Sequence, residues 1–296
     1  MEKKDHIDLL GGSCLVAFSA LLGLNQVMVK LVNAGLQPAF QAGLRSLCAV
    51  VPVLLFALIA KRRLSISDGS LPMGVLAGVL FAAEFLLIFL AVEYTTVARV
   101  SVLFYSMPVW VALAAHFLLP GERLTSMRAI GLLLAVGGVV LALADGPPAD
   151  SDALLGDLMA LCGSFFWAAI ALMARTTSFS RSSPEMQLLY QLIISAPVLL
   201  VAALFFGDFF REPTAFHWMI FAVQVFVVIS VGFLTWFWIL SIYPTSDMAS
   251  FGFLAPVFGV FFGWLVLKEE ISASIIIALI LVGMGIYLVN RKPKST

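Results

Sequence analysis

Arg45 and Glu84 each stand deep inside a run of apolar residues, where a charge has no obvious reason to be. Arg45 lies eight residues into the run that begins near position 37, and Glu84 lies eight residues before the run that closes near position 92. At 1.5 Å per helical residue, both are roughly 12 Å from the same end of their segments. Ionisable side chains at such depth in a membrane are costly and are functional candidates by default. Tyr105, eight residues into the next run, reaches the same level, and Asn25 lies slightly nearer that end. Two arrangements fit these positions. One is a polar cluster that holds a solute carrying both charges, Glu84 toward its cationic group and Arg45 toward its anionic group; the other is an ion pair that satisfies itself.

The elements that must position these groups are membrane helices. The chain has 296 residues, is 62% hydrophobic and only 11% charged, with a mean hydropathy of +1.07, whereas ordinary soluble domains are roughly 25% charged. Apolar runs near the roughly 20 residues that cross a bilayer occur at 8–31, 37–60, 71–92, 97–119, 127–144, 155–175, 186–206, 217–240, 246–267 and 273–290. This predicts an all-α integral membrane protein of ten transmembrane helices. Too little chain remains for a soluble catalytic domain or a large receptor domain. The first run exceeds the roughly 7–15 apolar residues of a signal-peptide core and reads as a genuine span.

Several chemistries lack their residues. Cys14, Cys48 and Cys162 fall inside apolar runs without metal-ligand or disulfide spacing. The three histidines, at 6, 116 and 217, are scattered over different depths and make no metal cluster. A Walker-type phosphate loop is absent from the sequence. The expectation is therefore a chain that is not an enzyme, with no cofactor and no metal. Its expected partners are a small-molecule substrate and the lipid bilayer, with protons as a candidate coupling ion and no nucleic acid.

Orientation follows from the cations. With the N-terminus in the cytoplasm, twelve of the 17 Lys and Arg fall on that side, Lys30, Arg99, Arg211 and Lys268 fall on the other, and Arg45 is within a span. That bias matches the positive-inside rule and places both termini in the cytoplasm.

The chain also repeats itself. "PVWVALAAHFLLPGE" (Pro108 to Glu122) returns as "PVFGVFFGWLVLKEE" (Pro256 to Glu270), an offset of 148 residues. "LLG" at Leu9 returns at Leu154, and "PVLL" at Pro52 returns at Pro197, both at an offset of 145. A short insertion near "GDFFREP" (Gly207 to Pro213) accounts for the drift of three. The expected units are residues 1–144 and 154–296, joined by an extracytoplasmic linker at 145–153. Each unit has five spans, so the second enters the membrane from the opposite side. Such inverted repeats are the architecture of secondary transporters, with the substrate site near the midplane between the halves.

These residues resemble the drug/metabolite transporter superfamily and, within it, the ten-span EamA-type members: the Pro-Val that opens an apolar run ending in Glu, followed by a glycine-rich fifth span ("GLLLAVGGVV", "LILVGMGIYLV"). The resemblance covers nearly the whole chain. It implies alternating-access transport of amino acids, other metabolites or drugs across a bacterial inner membrane, and the direction, export, comes from the resemblance alone. Length and aromatic content look most like YddG-type exporters of aromatic amino acids. A multidrug or nucleotide-sugar carrier of the same fold is the alternative. Small four-span relatives couple protons through an acidic residue in the first span; here that span carries Ala, Leu, Asn and Gln, and that chemistry does not transfer.

The second unit contributes different candidates. An offset of 145 sets Tyr190, followed by Gln191, where the first unit has Arg45. Trp167 and Trp236 add aromatic faces, which would suit a ring-bearing solute or simply favour the membrane interface. Pro52, Pro108, Pro197 and Pro256 occupy matched places, each freeing a carbonyl about one turn earlier. They are expected as kinks or hinges that shape a cavity, or as static kinks left by duplication. His116 reads as an interfacial histidine or a proton site, and Glu122 and Glu270 as helix-ending markers.

Overall fold

The computed structural model describes residues 7–119, 125–145, 151–243 and 251–290. Glu122, Asp247 and most of the linker lie outside them. The described residues form twelve α-helices: α1 (Leu9–Asn33), α2 (Pro38–Ile59), α3 (Leu71–Tyr94), α4 (Val97–Phe104), α5 (Met107–Leu118), α6 (Ser126–Ala144), α7 (Ser151–Thr176), α8 (Pro184–Ala203), α9 (Ala215–Val223), α10 (Phe233–Ile242), α11 (Leu254–Leu267) and α12 (Ala273–Asn290). A π-helical segment, Gln224–Gly232, joins α9 to α10. Among the described residues nine stretches are long and apolar enough to cross a membrane, the α4–α5 pair counting as one of them, and the shorter α11 makes the tenth. The chain is thus a multi-pass membrane bundle of two inverted five-helix repeats.

Local chemistry sets the helix starts. Asp8 accepts the Gly11 N–H at 2.9 Å, Thr96 that of Arg99 at 3.2 Å, and Ser183 that of Met186 at 3.3 Å, satisfying donors that a helix start leaves free. Pro38, Pro72 and Pro184 sit in first turns, where a missing N–H costs nothing. Lys268, at φ 58°, ends α11 in the left-handed region.

Helices of the two units pack across one another: α1 on α11, α2 on α8, α3 on α7 and on α8, and α6 on α12. Small residues permit the closest of these approaches. A Cβ on Gly23 would sit 2.6 Å from the Gly259 nitrogen, and one on Gly259 would sit 2.0 Å from Ser101 Oγ, so glycine alone lets α1, α4 and α11 meet. Large side chains such as Ile59, Phe117, Leu133 and Phe205 point outward, as expected against lipid.

Two expected kinks take another form. The fourth span is not one bent helix: it stops at Phe104 and restarts at Met107, with Tyr105 and Ser106 between. Pro108 sits in the first turn after the break, and Pro256 is the third residue of α11. At such positions a proline removes a donor that has no carbonyl to meet, so neither bends a continuous helix. Pro52 and Pro197, by contrast, lie inside α2 and α8.

Candidate functional site

The bundle has two ends. The end at which α6 leaves for the linker is called here the linker end, and the end that carries the start of α1 is the terminal end. The sequence candidates distribute between them and the mid-depth.

Arg45 and Glu84 are both deeply buried, at 2% and 3% exposure. The Arg45 guanidinium lies over two α3 rings, 4.4 Å from the Phe85 centroid and 4.6 Å from that of Phe89, a cation–π arrangement. Phe85 directly follows Glu84 in α3, so the guanidinium lies against the residue next to the carboxyl. No hydrogen bond or ion pair joins them, and Arg45 Nε and Glu84 Oε2 are buried without partners. The structure brings the two groups together but does not pair them.

A second polar patch lies at the break in the fourth span. The Tyr105 hydroxyl donates to the Leu22 carbonyl at 3.0 Å, with the Gln26 side chain beside it. Trp167 stacks on Phe104 at 5.0 Å and meets Tyr105 edge-on at 6.1 Å. Asn25 Oδ1, Gln26 Oε1 and Ser101 Oγ are buried without partners in the same part of the bundle. Tyr105 and Trp167 therefore gather at the helix break, and Asn25 follows Leu22 by three residues on α1.

Tyr190, Gln191 and Trp236 lie elsewhere. An inverted repeat sends equivalent residues to mirrored depths, so Tyr190, the counterpart of Arg45, is at the terminal end. Its hydroxyl is 3.2 Å from Ser70 Oγ, to which Ser182 Oγ also donates at 2.7 Å. Gln191 donates to its own helix, at the Gln187 carbonyl (3.1 Å). Trp236 stacks on Phe18 at 5.2 Å, in a cluster with Leu15, Ile239 and Tyr243 near the terminal end. His116 meets the Phe117 ring edge-on.

Sequence reading missed the most heavily charged contact set, at the linker end. Arg99 Nε donates to both oxygens of Asp157, at 3.0 and 3.1 Å, and Arg99 Nη2 makes a further short contact to Asp157 Oδ2. Thr95 Oγ1 donates to Asp157 as well, at 3.0 Å, and Arg99 Nη1 lies 3.5 Å from Asp145. Glu269 accepts the Val97 and Ala98 N–H groups at 2.8 and 3.0 Å, which places a carboxylate on the N-terminus of α4. Lys30 Nζ adds a contact to Glu269 at 3.3 Å and donates to the Thr95 carbonyl at 2.8 Å. Beside this clasp is a cleft of about 600 Å³ lined by Lys30, Glu93, Arg99, Asp145, Glu270 and Ser272 among others. Of "KEE", the acid that engages α4 is thus Glu269; Glu270 is exposed at the cleft. The available signal was a helix N-terminus at Thr96 opposite a doubled Glu.

Two buried amides were also missed. Gln41 Nε2 donates to Gln224 Oε1 at 3.2 Å, leaving Gln41 Oε1 and Gln224 Nε2 without partners. Gln37, Gln41 and Arg45 recur every four residues on one face of α2, a polar stripe legible in "QPAFQAGLR".

The fold is that of a multi-pass membrane bundle whose first unit buries an acid and a base that are not hydrogen-bonded to one another. The EamA-like transporter family matches this chain twice, over residues 9–144 and 154–291, and the chain belongs to that family. Relatives span nearly its full length. An uncharacterized transporter, YoaV, of Bacillus subtilis is 26% identical over 93% of this chain and 94% of its own. The "Probable amino-acid metabolite efflux pump" of Escherichia coli is 23% identical over 90% of each. A protein crystal structure with a TM-score of 0.68 and 19% identity, covering 95% of this chain and 96% of its own, shares the fold.

Proposed function

We propose that this protein is a secondary carrier or facilitator that exports amino acids, or similar small zwitterionic metabolites, across a bacterial inner membrane by alternating access. Both termini are cytoplasmic in this reading, and the linker end faces outward. The observation that carries it is the Arg45–Glu84 arrangement: opposite charges buried at one level, each with an unpaired polar atom. An ammonium at Glu84 and a carboxylate at Arg45 would supply the partners that buried charges require. The name of the Escherichia coli relative supports amino-acid export. A nucleotide sugar is a poorer fit, because its several negative charges would meet Glu84, and Arg99 is already engaged by Asp157. An aromatic preference draws little support, because the Phe85 and Phe89 faces are covered by Arg45, Trp167 by Phe104 and Trp236 by Phe18.

The test is uptake of a radiolabelled amino-acid panel into liposomes that contain the purified protein, with and without a pH gradient. Transport by the wild type, lost in Arg45→Met and Glu84→Gln, is the expected result. Full activity in both variants would remove these residues from the site. A pH response that survives Glu84→Gln would remove that residue from proton coupling.

A further inference from the structure

We propose that Gln41 and Gln224 form a side-chain subsite of the Arg45–Glu84 centre, one that selects an amino acid whose side chain ends in a carboxamide. This rests on the amino-acid reading above and names the substrate class within it.

Both amides are fully buried, at 0% exposure, and come from opposite units: Gln41 from α2 and Gln224 from the first residue of the π-helical segment. Their single mutual hydrogen bond, 3.2 Å, uses one NH2 and one oxygen. What remains unpartnered is one carbonyl oxygen and one NH2. Exchanging both amide orientations leaves the same remainder. Leaving a buried donor or acceptor unmade costs about 1–3 kcal/mol, so two such groups side by side favour a ligand that offers one acceptor and one donor. A primary carboxamide has both.

Position links this pair to the charged centre. Gln41 precedes Arg45 by four residues on the same face of α2, about 6 Å along the axis. Gln224 precedes Ile229 by one π turn, and Ile229 packs in one cluster with Ala49 of α2 and Phe81 of α3. Arg45 and Glu84 therefore stand between the amide pair on the linker side and the Ala49–Phe81–Ile229 contact on the terminal side. A substrate with its ammonium and carboxylate at Glu84 and Arg45 would extend its side chain toward the linker end. A two-methylene side chain spans a distance comparable to that turn. The π-helical backbone matters to this geometry: its wider turn, with Ser230 Oγ donating five residues back to the Val225 carbonyl at 2.9 Å, sets Gln224 and Ile229 on one face.

The experiment compares glutamine with methionine, which has a similar shape but no carboxamide, in liposomes that contain wild type, Gln224→Met or the double variant Gln41→Leu/Gln224→Met. The rate ratio is independent of how much protein folds, and the double variant removes both polar partners so that no buried amide is left alone. The expected result is a wild-type preference for glutamine that falls about tenfold in Gln224→Met and is abolished in the double variant. In parallel, glutamine should raise the melting temperature of detergent-solubilised wild type and not of the variants. Transport of both amino acids with an unchanged ratio in the variants would overturn the subsite while leaving amino-acid transport intact. Failure of the wild type to move either amino acid would overturn the amino-acid reading, and the subsite with it.

Discussion

The two ends of the bundle are built from the same duplicated unit, yet they are closed by different chemistry. At the linker end the contacts are charged and buried: Arg99 holds Asp157, which is fully buried, and Glu269 caps α4 with Lys30 alongside. At the terminal end the contacts among the described residues include hydroxyls and a partly exposed ion pair: Tyr190 and Ser182 on Ser70, Tyr243 on Asp8 at 2.6 Å, and Arg62 on Glu185 at 3.0 Å with the arginine half exposed. The sequence explains why the matched positions of the other unit do not repeat the clasp. Counting by the repeat offsets, the position matched to Arg99 holds Asp247, the one matched to Asp157 holds Gly12, and the one matched to Glu269 holds Gly121. An aspartate and a glycine cannot make the pair that an arginine and an aspartate make. Duplication supplied two ends, and among the described residues divergence set the Arg99–Asp157 pair, the more buried ionic contact, at the linker end, where burial strengthens it.

The largest effect should come from breaking that closure on one side only. Asp157→Ala strands a buried guanidinium, and losing one partner of a buried pair costs about 3–5 kcal/mol. A marked fall in the detergent melting temperature is expected, partly recovered in Arg99→Met/Asp157→Ala, where neither charge is left alone. An unchanged melting temperature in the single variant would make the two ends energetically alike.

Glu269→Gln should act less strongly and more on conformation than on folding. One oxygen still accepts an α4 N–H, but the negative charge opposite Lys30 and at the helix N-terminus is lost, an interaction of about 0.3–1 kcal/mol up to about 2 where partly buried. The expectation is a several-fold faster reaction of a cysteine placed at Ala98 with a membrane-impermeant thiol reagent, because the linker end opens more often. Equal labelling rates would show that Glu269 does not hold that end shut.

The smallest effect belongs to the terminal end. Glu185→Gln removes the buried charge of a pair whose cation is half exposed and stays solvated, and pairs with an exposed partner contribute about 0–1 kcal/mol. Melting temperature and thiol labelling at the linker end should stay near wild type. A loss as large as that of Asp157→Ala would erase the contrast between the ends.

How far these features could be read in advance differs by residue. Arg45 and Glu84 were legible because a charge within an apolar run is conspicuous and because counting along a helix gives its depth. Tyr190 was misleading: the offset identifies the matched residue, but an odd number of spans turns that residue to the other side. The break at Tyr105 and Ser106 was hidden, since apolar residues continue through it and only Pro108 marks it. Gln41 and Gln224 were passed over because neutral amides in an apolar run attract little notice one at a time, and their pairing spans 183 residues.

The sequence by itself determined the membrane class, the ten apolar runs, the duplication and, through five spans per unit, its inversion. These are local or counted properties: run length against bilayer thickness, spacing between repeated words, charge per loop. Only the tertiary structure decided which groups meet, setting Arg99 on Asp157, Gln41 on Gln224, and Arg45 near Glu84 without an ion pair. The physical reason is that a membrane helix is apolar on its lipid face as well as on its packed face. Its hydrophobic pattern therefore says how deep a residue lies but not toward which neighbour it turns, and that choice is made by glycine-mediated approaches such as Gly23 on Gly259.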